Sequence, residues 1–157
     1  MLMHKDFDEF LKLLNHHKVR YVIVGGYALS AYLLPRATKD LDILIEASEN
    51  NAKKIVEALR EFGFSSSNLE TKELMSPEVI IQLGRPPVRI DVLTSITGVK
   101  WDDVWKNRKK WFFGKSQIPT YFIGKNQLIK NKMATGREQD LLDVKKLKKL
   151  DNTIEKR

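Results

Sequence analysis

The chain has 157 residues, no cysteine, and 28 lysines and arginines against 20 aspartates and glutamates, a formal net charge of +8. That length suits one core-forming domain, 1–157; the lack of cysteine excludes disulfides and thiolate metal sites, and no run approaches the ~18 apolar residues of a membrane span. Acidic residues occupy MLMHKDFDEF where a signal peptide needs an apolar stretch, so a cytoplasmic protein with no membrane partner is expected.

In chain order, Phe7, Phe10, Leu11 and Leu14 recur at helical spacing and predict an amphipathic helix ending near Asn15-His16-His17. Tyr21–Val24 reads as a strand running into Gly25-Gly26, followed by a short helix over Ala28–Leu33 that Pro35 stops. A second strand opens with Asp40-Leu41-Asp42. Ser48 is a natural N-cap for a helix over Glu49–Phe62, with Ile55, Val56, Leu59 and Phe62 as its apolar stripe and Gly63 as its stop. Gly63–Met75, rich in serine and charge, reads as a connection containing a weak strand.

Val79–Leu83 and Val88–Leu93 alternate as strands and are joined by the turn Gly84-Arg85-Pro86-Pro87. A short helix begins at Trp101, whose spacing to Trp105 favours core packing. Trp111-Phe112-Phe113, set among Lys106, Arg108, Lys109 and Lys110, is open between core packing and base stacking. Ile118–Ile123 is a short strand that Pro119 assigns to a sheet edge, and Asn126–Leu150 is a long helix with a break at Gly136. The order predicts an α/β (α+β) fold: a mixed sheet of four or five strands with packed helices and a C-terminal helical appendage.

Charge divides the chain as well. Residues 1–99 carry 12 basic and 13 acidic side chains, residues 100–157 carry 16 and 7. A basic, mainly helical part (about 99–157) thus follows a near-neutral core (about 1–98) and suits a polyanion such as NTP or RNA. A solvated lysine-rich helix face accounts equally well for KKLKKLDNTIEKR.

The chemistry concentrates in YVIVGGYALSAYLLPRATKDLDILIE, residues 21–46. Strand alternation puts Asp40 and Asp42 on one face and Leu41, Ile43 and Ile45 on the other. Two carboxylates held that close repel unless a cation with oxygen ligands, such as Mg²⁺, lies between them. Gly25-Gly26 leaves backbone N–H groups free to approach phosphate. In VRIDVL, Asp91 sits with Arg89 and Leu93 on one face, opposite Val88, Ile90 and Val92; it is either a third ligand or an ion-pair partner of Arg36, Arg85 or Arg89.

Gly25-Gly26, a thirteen-residue spacer and Asp40-Leu41-Asp42, with Asp91 from a later strand, resemble the signature of the DNA polymerase beta-like nucleotidyltransferase superfamily. The segment LIKNKMATGREQDLLDV, with Lys132, Arg137, Asp140 and Asp143, and Arg36 and Thr38 before the paired carboxylates, resemble the abortive-infection toxin (AbiEii-like) type within it.

The resemblance implies Mg²⁺ or Mn²⁺ held by Asp40, Asp42 and Asp91. It implies NTP bound by Gly25, Gly26, Arg36, Thr38, Lys132 and Arg137, and transfer of a nucleoside monophosphate to RNA such as tRNA or to a protein, in a toxin–antitoxin setting with a cognate antitoxin. The best-known toxins of that type are longer. Lincosamide nucleotidyltransferases share this chain's length and layout, which makes a small-molecule antibiotic acceptor the alternative, beside a non-catalytic nucleotide- or RNA-binding relative.

Overall fold

A computed structural model describes residues 4–33, 40–64, 70–85 and 87–150. Among them, six strands form one mixed sheet in the order β3-β4-β2-β1-β6-β5: β1 Tyr21–Val24, β2 Asp40–Ile45, β3 Ile80–Arg85, β4 Val88–Leu93, β5 Lys109–Phe113 and β6 Ile118–Phe122. Strand β2 runs antiparallel to β1 and parallel to β4, while β3–β4 and β5–β6 are antiparallel hairpins and β1 and β6 are parallel. The helices are α1 His4–His16, α2 Gly25–Tyr32, α3 Glu49–Phe62, α4 Thr71–Met75, α5 Trp101–Lys106, α6 Lys125–Thr135 and α7 Glu138–Lys148. Among the described residues no helix is long and apolar enough to cross a membrane.

Helix α1 buries Phe7, Phe10, Leu11 and Leu14, and α3 buries Ala52, Ile55, Ala58 and Leu59; Phe10 meets Phe62 at a ring separation of 5.0 Å. The sheet contributes Tyr21, Ile23, Leu41, Ile43 and Ile45, each at most 1% exposed. Burying side chains of this size stabilises the fold by roughly 1.5–3 kcal/mol each. Ser48 caps α3 by accepting from the Asn51 N–H, and Gly63 ends it in the left-handed region at φ 96°. Asn51 is buried because its amide donates to the carbonyls of Arg20 and Glu46 and accepts from the Arg20 N–H, which ties the start of β1 to the end of β2.

Two expectations change. The sheet has six strands because Lys109–Phe113 forms β5, a segment whose charged and aromatic residues mask its alternation; Trp111 packs on Tyr32 and Phe122 while Phe112 is exposed. Strand β6 is therefore interior. Pro119 is tolerated there because β1 pairs with β6 only at Ile23–Phe122, so no ladder partner on β1 awaits an N–H at position 119. Within Gly63–Met75, residues 65–69, where a weak strand is expected, lie outside the described residues, and Thr71–Met75 is a short helix. The C-terminal helix breaks at Gly136 as expected, where φ 65° caps α6 before α7 begins. Trp101 and Trp105 stack at 5.4 Å as expected, with the Arg108 guanidinium 3.6 Å from the Trp105 ring centre.

Candidate active site

Strand alternation and register assemble the site. Leu41 and Ile43 are fully buried on the core side of β2, which turns Asp40 and Asp42 to the opposite face. Parallel pairing sets Asp42 beside Asp91 and Asp40 beside Arg89, so three carboxylates and one guanidinium share that face. Arg89 donates to both oxygens of Asp91, Nε at 2.7 Å and Nη2 at 3.0 Å, and Nη2 also reaches Asp40 at 3.2 Å. Asp91 raises the Arg89 pKa, chiefly through these hydrogen bonds. The ion-pair reading of Asp91 thus applies, with Arg89 as partner, and the same guanidinium joins Asp40 to the cluster.

Asp42 receives no hydrogen bond from the described residues. Burial, then the charges of Asp91 and Asp40, push its pKa up to about 6, against a smaller lowering by Arg89. Its carboxylate lies against Gly25, which opens α2 at φ 69°; a Cβ there would collide with Asp42 Oδ2. Glycine is required twice at this point, for the backbone conformation and for the close approach. The first-turn N–H groups of α2 have no intrahelical acceptor, and Val24 supplies no side-chain cap.

Gly25, Gly26 and Asp42 form one wall of a cleft of roughly 350 Å³. The other wall comes from α6 and α7. Lys132 bridges Asp143 at 3.0 Å and Asp140 at 3.4 Å, Arg137 and Thr135 donate to Asp140 at 2.7 and 2.8 Å, and Gln139 donates to Asp143 at 3.1 Å. The Arg137 hydrogen bond above all, helped by Thr135 and Lys132, holds Asp140 well below the usual carboxylate range. Lys132 and Arg137 therefore reach the cleft together with two carboxylates that match their charge. Arg36 and Thr38 lie outside the described residues.

Among the described residues no group of three or more His, Cys, Asp or Glu side chains converges as a ready-made metal site; Arg89 spans Asp40 and Asp91. The donor types nonetheless suit a hard divalent cation: three carboxylates on one face, two bonded to a shared guanidinium and the third with its pKa raised by burial and then by its like-charged neighbours. Arg89 is the site residue that sequence reasoning weighed only as an ion-pair partner. Its i,i+2 spacing to Asp91 was the available signal.

The fold is that of the nucleotidyltransferases. The lincosamide antibiotic adenylyltransferase LnuA, solved with lincomycin bound, aligns with a TM-score of 0.55 at 17% identity over 96% of this chain and 99% of its own. A candidate nucleotidyltransferase from Thermotoga maritima aligns with a TM-score of 0.59 at 16% identity over 92% and 94%. At these identities the likeness is one of fold. Residues 3–155 match the family described as nucleotidyltransferase of unknown function (DUF6036), and the chain belongs to that family. A search of curated proteins gave no significant match.

Proposed function

We propose that the protein transfers a nucleoside monophosphate from NTP to a hydroxyl of a small-molecule acceptor, releasing pyrophosphate, in a reaction that needs Mg²⁺ or Mn²⁺. The observation that carries this reading is the unmatched charge at Asp42, beside Asp40 and Asp91 and against the Gly25 backbone, on a cleft that the α6–α7 wall closes. Asp40, Asp42 and Asp91 would hold the cation, which when bound would neutralise triphosphate charge and lower the pKa of the attacking hydroxyl.

The chain's own groups do the rest. Backbone N–H groups at Gly25 and Gly26 receive phosphate oxygens at the start of α2. Arg137, with a side chain 78% exposed, keeps donors beyond those given to Asp140 and is the better phosphate partner; Lys132 is engaged by two carboxylates and positions α6 against α7. Arg36 and Thr38 are further candidates for the triphosphate. Asp91, the carboxylate nearest the β3 edge, orients the acceptor hydroxyl and takes up its proton as the oxygen attacks the α-phosphorus.

The small-molecule acceptor is supported by the alignment with LnuA, solved with lincomycin bound, over 96% of this chain and 99% of its own. A second reading keeps RNA such as tRNA, or a protein, as acceptor in a toxin–antitoxin pair. The basic residues 100–157 favour it. Each α-labelled NTP is incubated with Mg²⁺ and either a panel of hydroxylated antibiotics including lincomycin or total tRNA. Label on a small molecule, lost in Asp42→Asn, is the expected result. Label on tRNA selects the second reading, and NTP binding with no transfer to any acceptor identifies a non-catalytic relative.

A further inference from the structure

The carboxylate face continues past Asp91. Antiparallel pairing sets Gln82 beside Asp91 and Ile80 beside Leu93, and paired residues and residues two apart share a face. Ile80 and Gln82 on the edge strand β3 therefore extend the Asp91 surface toward the end of β4. Burial agrees, since Leu83 is 1% exposed on the opposite face whereas Ile80 is 57% exposed.

At the end of this platform, about 7 Å of strand rise from the Gln82–Asp91 pair, lies a cavity of roughly 590 Å³ between residues 77–80 and 95–98. Pro77, Ile80 and Ile96 give it apolar walls, Ser95 and Thr97 add hydroxyls, and Glu78 is the one charged group among its described lining residues. The walls are tied together: Glu78 N–H donates to Ser95 Oγ and Val79 N–H to Thr94 Oγ1, both at 2.9 Å, and Thr94 N–H donates to the Val79 carbonyl at 3.0 Å. Glu78 is held at φ 60°, a conformation uncommon outside glycine. The Asn131 amide of α6 donates to the Thr97 carbonyl at 2.9 Å, so the helix that brings Lys132 to the nucleotide cleft also braces this cavity.

We infer that this cavity is the acceptor site, and that it takes a partly apolar, neutral or cationic hydroxylated small molecule; the inference rests on the nucleotidyl transfer proposed above. The volume lies in the range of small-molecule sites. No lysine or arginine is among the described lining residues, whereas a polynucleotide backbone requires a basic surface. A molecule seated against Ile80 would have to extend about two strand residues along the β3–β4 face to meet Asp91.

The test is amide chemical-shift mapping of the full chain with hydroxylated compounds of roughly 10–20 heavy atoms, the drug-fragment range, in neutral, cationic and anionic sets, and separately with Mg²⁺–ATP. Neutral and cationic compounds should move the Ile80 and Ser95–Gly98 amides. Ile80→Arg, a change at an exposed position, should weaken those compounds at least about tenfold while the Gly25 and Gly26 response to Mg²⁺–ATP persists. A Mg²⁺–ATP response with no compound in the cavity, or with only anionic compounds there, overturns the acceptor assignment alone. Compounds in the cavity with no Mg²⁺–ATP response overturn the transfer reading and the acceptor assignment with it.

Discussion

Two carboxylate clusters stand near one another at this cleft, and they differ in how their charge is answered. Between α6 and α7, Asp140 and Asp143 are 2% and 1% exposed and meet Lys132, Arg137, Thr135 and Gln139. On β2 and β4, Arg89 bridges Asp40 and Asp91, and Asp42 is pushed up to about 6 by burial and by its like-charged neighbours. A matched buried network holds helices together. The less matched one, where burial and like charge both raise the Asp42 pKa, is where the proposed chemistry is placed, since a bound cation would compensate that charge.

The largest expected effect breaks the matched cluster. Asp140→Ala or Asp143→Ala strands Lys132 beside one fewer carboxylate and should cost about 3–5 kcal/mol in denaturant unfolding; a loss under about 1 kcal/mol, the range of an exposed pair, would erase the contrast. At the unmatched cluster the sign reverses. The native Asp42 pKa lies above its ordinary value of 3.8, so its stabilising contribution is full below that value and is lost as pH rises through about 6. Asp42→Asn, neutral throughout, should therefore stabilise the metal-free protein by about 3 kcal/mol at neutral pH and remove that loss. A destabilised variant would mean that Asp42 is already matched.

Gly25→Ala should cost about 1–2 kcal/mol from the left-handed backbone alone and should also weaken cation binding by displacing Asp42; titration of the variant with Mn²⁺ checks the second part. The smallest effect belongs to the tail of α7. Replacing Lys145, Lys146, Lys148 and Lys149 with glutamine should change Mg²⁺–NTP affinity by less than about 0.5 kcal/mol, the usual surface range. If the wild type binds RNA, the replacement should flatten the salt dependence, whose slope counts phosphates neutralised.

Much of this was legible in the sequence where one physical rule acts alone. Phe7, Phe10, Leu11 and Leu14 repeat cleanly, Ser48 and Gly63 mark both ends of α3, and alternation assigns Asp40, Asp42 and Asp91 to one face. The rest depends on tertiary context. Strand β5 has its pattern obscured by Lys109 and Lys110, and Pro119 in β6 is harmless only because of where β1 stops pairing. The role of Arg89 needed the register, since only parallel pairing of β2 with β4 brings Asp40 within reach of a guanidinium two residues from Asp91. The matching of Lys132 by Asp140 and Asp143 needed the fold of α7 back onto α6 across Gly136.

If Asp42 belongs to a carboxylate cluster that holds a cation and a triphosphate, nucleotide should stabilise the wild type and not Asp42→Asn. Thermal unfolding of wild type and Asp42→Asn at about pH 7.5, each with and without Mg²⁺–ATP at about 100 times its Kd, tests it in one set of curves. The wild type should rise by about 5–10 °C, from a ligand contribution of about 2.7 kcal/mol, while Asp42→Asn should start higher and not rise. Equal shifts in both proteins, or a rise in Asp42→Asn alone, would contradict it.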